Sequence, residues 1–153
     1  MTEPTSATPE SHSPAPESAF LQAVGFTIDE VTATSLQGHL ELGPQHHTPW
    51  GIVHGGVYAT VIESAASVGA SHAVEADGMF AVGLMNTTHF VRAIQSGRVL
   101  VAATALNQGR TQQLWQVDCR DDSGRLLAHG EVRLQNTALN PERQRRRSSD
   151  REA

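Results

Sequence analysis

Apolar and polar residues alternate over positions 35–42: Leu36, Gly38, Leu40 and Leu42 fall on one side of an extended chain, Gln37, His39 and Glu41 on the other. That period of two predicts a half-buried antiparallel strand, ended by Gly43-Pro44. Past residue 56 the period changes. Tyr58, Ile62, Ala66 and Ala73, with Val57, Val61 and Ala65 beside them, recur at helical spacing and predict one long helix over 57–74. Ala65, Ala66, Ser67, Gly69, Ala70 and Ser71 let other backbones approach closely, so this helix is expected inside the fold. Four strand-like segments follow at about 79–91, 98–107, 111–120 and 125–135, parted by Gly97, Gly109 and the turn Asp121-Asp122-Ser123-Gly124. A short helix is expected at 20–24, broken by Gly25. Strands joined by short turns pair antiparallel, and the apolar face of such a sheet must be covered. With one long helix to cover it, the expectation is an α+β fold: a curved antiparallel sheet wrapped around one long central α-helix. Such a sheet leaves an edge that a second copy of the chain can cover, so an oligomer is expected.

Composition narrows the picture. The chain has 153 residues, 39% hydrophobic and 18% charged, which suits one domain. Residues 1–16 hold four of the seven prolines and residues 138–153 five of the eleven arginines, so both ends are expected to be disordered tails around a domain at 17–137. There is no lysine. Schiff-base chemistry, a pyridoxal-phosphate anchor and a phosphate-loop lysine are thereby excluded, since each needs an ε-amine. A net charge of −5 argues against a nucleic-acid surface, and the run Arg143, Arg145, Arg146, Arg147 is interleaved with acids as a solubility tail would be. The single cysteine, Cys119, cannot form an internal disulfide and fits a reducing compartment. It shares a strand face with Trp115 and Val117, so a packed thiol is expected rather than a nucleophile. The first residues lack a basic stretch followed by an apolar run and no run of 18 apolar residues occurs, so neither a signal peptide nor a membrane span is expected and the expected location is the cytoplasm, with no membrane association. His46, His47 and His54 match no zinc spacing, and no metal is expected.

Candidate chemistry gathers in Trp50-Gly51-Ile52-Val53-His54-Gly55-Gly56, followed by Glu63 and Ser67. Two glycines at a helix start remove side chains where unpaired N–H groups point outward and the macrodipole is positive, as an oxyanion site requires. Glu63 lies among Val61, Ile62, Ala65 and Ala66, where a carboxylate must be satisfied, protonated or useful. Eight residues of helix separate Gly55 from Glu63, about 12 Å at 1.5 Å per residue. One helix can hardly bring both to one carbonyl, which needs its attacking group within about 3.5 Å. If both act, they come from different chains. Antiparallel helices across a twofold would bring Gly55 of one toward Glu63 of the other, and a homodimer with two composite sites is expected.

The segment Gly51-Ile52-Val53-His54-Gly55-Gly56-Val57-Tyr58-Ala59-Thr60-Val61-Ile62-Glu63-Ser64-Ala65-Ala66-Ser67 resembles the hotdog-fold acyl-CoA thioesterases. Within this PaaI-like superfamily it is most similar to the branch with a catalytic glutamate, which includes 4-hydroxybenzoyl-CoA and 1,4-dihydroxy-2-naphthoyl-CoA thioesterases. The likeness runs from about residue 22 to 136, through Asn86-Thr87-Thr88-His89-Phe90-Val91-Arg92, Gly109-Arg110-Thr111 and Trp115-Gln116-Val117-Asp118. It implies that the Gly55 N–H polarises the thioester carbonyl and that Glu63 of the partner subunit attacks as nucleophile or activates water. It further implies that Ser67, one turn on, holds water or orients the carboxylate. His54 matches the family histidine beside the oxyanion position, where it serves the site or simply ties the turn. The sequence departs from the family pattern at Thr48, where glutamine is common. Threonine is shorter and lacks the amide, so polarisation or water placement from that side is expected to be weaker or supplied differently.

Coenzyme A carries phosphates. Without lysine the candidate partners are Arg92 and Arg110, with Arg98 a further candidate and Thr111 offering its hydroxyl. Arg110 sits in the turn where related enzymes meet the nucleotide. The resemblance therefore implies an acyl-CoA thioesterase for an aromatic or similarly bulky acyl group, with no cofactor because coenzyme A is part of the substrate. A homodimer, assembling further to a homotetramer, is the expected state. The alternative is a non-catalytic acyl-CoA binding or sensing protein, which Thr48 keeps open. A hotdog hydratase or dehydratase is disfavoured because the Asp-His spacing of such enzymes is missing.

Overall fold

Twenty residues, Gly55–Val74, form the long helix α2, and what it must bury decides the rest. In the computed structural model, which describes residues 18–140, Val61, Ile62, Ala65, Ala66 and Ala70 are fully buried. Burying an aliphatic side chain as large as valine or isoleucine is worth about 1.5–3 kcal/mol, and only a sheet on several sides can cover a helix this apolar. The strands are β1 (Thr27–Val31), β2 (Ser35–Leu42), β3 (Met79–Phe90), β4 (Gly97–Gln108), β5 (Gln112–Asp121) and β6 (Leu126–Ala138). They form one sheet in the order β1-β2-β4-β5-β6-β3, every neighbouring pair antiparallel. The sheet curves round α2, which touches all six strands. This is the α+β architecture expected of the hydrophobic pattern.

The packing shows why the helix is rich in small residues. A β-carbon on Gly69 would stand 2.7 Å from the Trp115 ring, so the glycine lets the fully buried indole lie against the helix backbone. Trp115, Val117 and Cys119 all face inward and are fully buried, as their alternation predicts. Burial pushes the Cys119 thiol up to about 12, with Asp118 adding to the effect; at neutral pH it is a packed thiol. The Tyr58 hydroxyl, pushed up to about 12 by burial and by Cys119, has no hydrogen-bond partner among the described residues.

Short helix α1 (Ala19–Val24) is capped by Ser18 and ends at Gly25, whose φ of 81° is the left-handed conformation glycine tolerates. α2 starts two residues before its apolar period does, at Gly55. Strand β1 has no counterpart in the sequence expectations. It is an edge strand of five residues, mostly exposed and irregular between Ile28 and Glu30, and it leaves almost no alternating signature. Of the expected tails, residues 1–16 and 141–153, with the arginine run, lie outside the described residues. Ala138 is the last residue of β6, and the Leu139 N–H donates to the Gly78 carbonyl. Among the described residues no helix is long and apolar enough to cross a membrane.

Candidate active site

The loop that delivers the chain to α2 is held by its own backbone. His47 bridges Val53, the Thr48 N–H donates to the Ile52 carbonyl at 2.8 Å, and Gly51 turns at φ 76°. The Thr48 hydroxyl accepts from the Trp50 N–H at 3.3 Å, so it closes this turn. His54 is the N-cap of α2: its Nδ1 accepts from the Gly56 N–H at 2.8 Å, and its carbonyl accepts from Val57. A ring that accepts at Nδ1 carries its proton on Nε2 when neutral. Among the described residues the Gly55 N–H meets no acceptor. It is an uncommitted donor at the positive end of a twenty-residue helix.

From that end, α2 and edge strand β3 run antiparallel in close contact. Phe90 crosses Gly55, where an added β-carbon would stand 3.0 Å from the ring. Asn86 Nδ2 donates to the Ala59 carbonyl at 3.1 Å, the Glu63 carboxylate lies over Gly83, and Ser71 Oγ accepts from the Ala81 N–H at 3.0 Å. Glu63 and Ser67 are both half-buried, one turn apart on the side of the helix that follows β3. No donor among the described residues reaches the Glu63 carboxylate. Gly55 and Glu63 are two turns apart in one chain, so the structure does not bring them together within a protomer.

The cationic candidates separate. Val91 and Arg92 donate their N–H groups to the Leu127 carbonyl, and Ile94 accepts from Val53, which puts Arg92 at the N-terminal end of α2. Arg110 is at the other end, about 30 Å along the axis. There the β4–β5 turn and the end of α2 enclose a cleft of about 290 Å³ lined by Ala73, Asp77, Met79, Gln108, Arg110 and Asn136. Asn136 holds the turn from behind, donating to the Gly109 and Arg110 carbonyls at 3.1 Å each while its own N–H meets the Thr111 carbonyl. The Thr111 side chain is exposed. Arg98 is paired with Glu41 across the β2–β4 register at 3.3 Å, an exposed rim pair, whereas Arg92 and Arg110 have no acidic partner among the described residues.

Other polar groups are occupied elsewhere. His46 and His47 bond to the Val24 and Gln95 carbonyls, and among the described residues no three His, Cys, Asp or Glu side chains gather as a metal would require. Asp118 and His129 pair at 2.7 Å, but their strand neighbours Val117, Cys119 and Ala128 face α2, so this dyad points away from it. Burial raises the Asp118 carboxyl, yet the His129 hydrogen bond and Arg120 outweigh burial and hold it below the usual range. Sequence reasoning missed Gly83, Asn86 and Phe90 as neighbours of the site. The lone glycine inside an otherwise strand-like run was the available signal.

Residues 51–128 match the family described as the thioesterase superfamily. The "Putative esterase Rv1847" of Mycobacterium tuberculosis is 40% identical over 141 residues, covering 87% of this chain and 99% of its own length. The 1,4-dihydroxy-2-naphthoyl-CoA hydrolase of Listeria monocytogenes is 31% identical over 106 residues, 69% of this chain and 85% of its own. Among solved structures, thioesterase HI1161 of Haemophilus influenzae superposes with a TM-score of 0.74 at 28% identity, covering 78% of this chain and 83% of that one. A helix of this length inside a sheet of this order is the hotdog fold of the thioesterases. The chain belongs to the thioesterase superfamily, a class of thioester-hydrolysing enzymes.

Proposed function

We propose that the protein hydrolyses an aromatic or similarly bulky acyl-CoA to the free acid and coenzyme A at a site shared by two protomers. The observation that carries this reading is the Glu63 carboxylate, half-buried at the sheet edge with no donor from its own chain. The uncommitted Gly55 N–H supplies the complementary group, an electrophilic donor for a developing oxyanion. Glu63 either adds to the carbonyl carbon itself or takes a proton from the water that does. In both routes the carbonyl oxygen gains charge against the Gly55 N–H, the C–S bond breaks, and the thiolate leaves to be protonated; after direct attack by Glu63, water then hydrolyses the acyl-glutamyl anhydride, freeing the acid and restoring the carboxylate. Relatives named for 1,4-dihydroxy-2-naphthoyl-CoA support the aromatic acyl group.

Support for the dimer comes from β3, a twelve-residue edge strand with Val82, Leu84, Met85 and Phe90 exposed by 42–61%. Left open, such an edge is a pairing hazard, and a second β3 covers it. Phe90 is level with Gly55 and Gly83 with Glu63, so an antiparallel β3–β3 pair centred between Asn86 and Thr87 brings one protomer's Gly55 level with the other's Glu63. For coenzyme A, Arg110 lies about 15 Å along α2 from Glu63, a span an extended pantetheine arm covers, while Arg92 serves the opposite end.

A thiol-release assay on aroyl- and alkyl-CoA esters tests this reading. Turnover is expected with aroyl esters, and Glu63→Gln is expected to lower kcat at least about 100-fold with the fold intact. A fully active Glu63→Gln ends the assigned role. The Thr48 hydroxyl, committed to Trp50, favours the second reading, a CoA-ester binding protein; binding without turnover by the parent chain would support it.

A further inference from the structure

The Glu63 carboxylate occupies the space where a side chain at position 83 of β3 would begin. A β-carbon on Gly83 would overlap Glu63 Oε1 and stand 3.2 Å from its Cδ. The φ of Gly83 is not in the left-handed region, so the backbone there would accept an L side chain. What excludes one is the carboxylate. The register shift between Gly83 and Met85 shows β3 bulging immediately beyond this point, and such bulges re-aim neighbouring groups. Two residues past the bulge, Asn86 donates to the Ala59 carbonyl, the carbonyl that also accepts the helical N–H of Glu63. Thr88 Oγ1 donates to Asn86 Oδ1 at 2.7 Å and so turns the amide nitrogen toward the helix.

We infer that the Gly83–Asn86 segment of β3 is a positioning device for Glu63, Gly83 forming the seat of the carboxylate and Asn86 anchoring the helical turn that carries it. The inference rests on the catalytic reading of Glu63. Neither residue touches the reacting atoms; they act through where the carboxylate stands. Because the overlapping atom is the far end of a flexible side chain, a methyl at position 83 displaces the carboxylate without breaking the sheet.

The test is Gly83→Ala, made in the parent and in Glu63→Asp, whose carboxylate ends one methylene short of the new methyl. In the parent background kcat is expected to fall about 100-fold, the scale of an ångström's misplacement, with KM and melting temperature little changed. In the Glu63→Asp background the same substitution should alter kcat less than about threefold, because the two changes are coupled. Crystals of Gly83→Ala should show the Glu63 carboxylate moved by about 1 Å or more. An unchanged kcat in the parent, an equal loss in both backgrounds, or a carboxylate in its original place overturns the inference. An active Glu63→Gln removes the catalytic reading instead, whereas full activity of Gly83→Ala beside an inactive Glu63→Gln removes only the seat.

Discussion

Glu63 and Gly55 were legible as single residues because each breaks a local rule. A carboxylate does not belong among Val61, Ile62, Ala65 and Ala66, and paired glycines do not belong inside a helix unless they begin it. His54 was legible only as one of two roles, and the structure supplies the cap to Gly56. Gly83 was legible only as a lone glycine in a strand-like run, because nothing in the string Ala81-Val82-Gly83-Leu84 tells which distant side chain approaches the missing β-carbon. The arginines divide in the same way. Arg98 finds Glu41 through strand register, which sequence does not display, while Arg110 keeps its charge uncommitted beside a cleft. Arg110→Ala should raise KM several-fold for intact CoA esters and leave truncated thioesters without the nucleotide unaffected, a pair of titrations that any general damage would move together.

Elements were readable in proportion to their burial on one face. β2 carries a clear period of two and the buried positions of α2 recur at helical spacing, and the strands after α2 fall within a few residues of where turn residues put them. β1 escaped because a short, exposed, bulged edge strand contains Asp29 and Glu30 rather than an alternating pattern. The β5–β6 turn shows how firmly one of these connections is fixed. The Ser123 hydroxyl, opposed by partial burial and joined by the backbone N–H and guanidinium of Arg125, holds the Asp121 carboxyl down to about 2. A carboxyl lowered from its ordinary value of about 3.9 contributes stability that is complete above that value and is lost as pH falls toward 2. Asp121→Asn is therefore expected to lower the melting temperature at neutral pH, with the gap to the parent closing between about pH 4 and pH 2 in thermal scans. A gap independent of pH would mean that the carboxylate's charge contributes nothing.

At the scale of the whole molecule, the proposed reading gives one protomer two halves of a site that it cannot close on itself. α2 separates Gly55 from Glu63 by about 12 Å, and the edge strand beside them exposes an apolar surface. The expectation of a second copy came from helix geometry alone; β3, the strand proposed to meet it, was not legible as an edge, because edge position is a property of sheet order. Subunit complementation tests the shared site most directly. Gly55→Pro removes the N–H at the first helical position, where the backbone of α2 and the extended His54 before it accept proline; its ring presses on Phe90, so the variant is used with a melting curve that matches the parent's. Glu63→Gln removes the other half. A heterodimer of these two inactive chains, purified through separate tags, retains one site with both groups intact and should show about half the parent's kcat per dimer. A heterodimer as inactive as either homodimer would contradict a site built from two protomers.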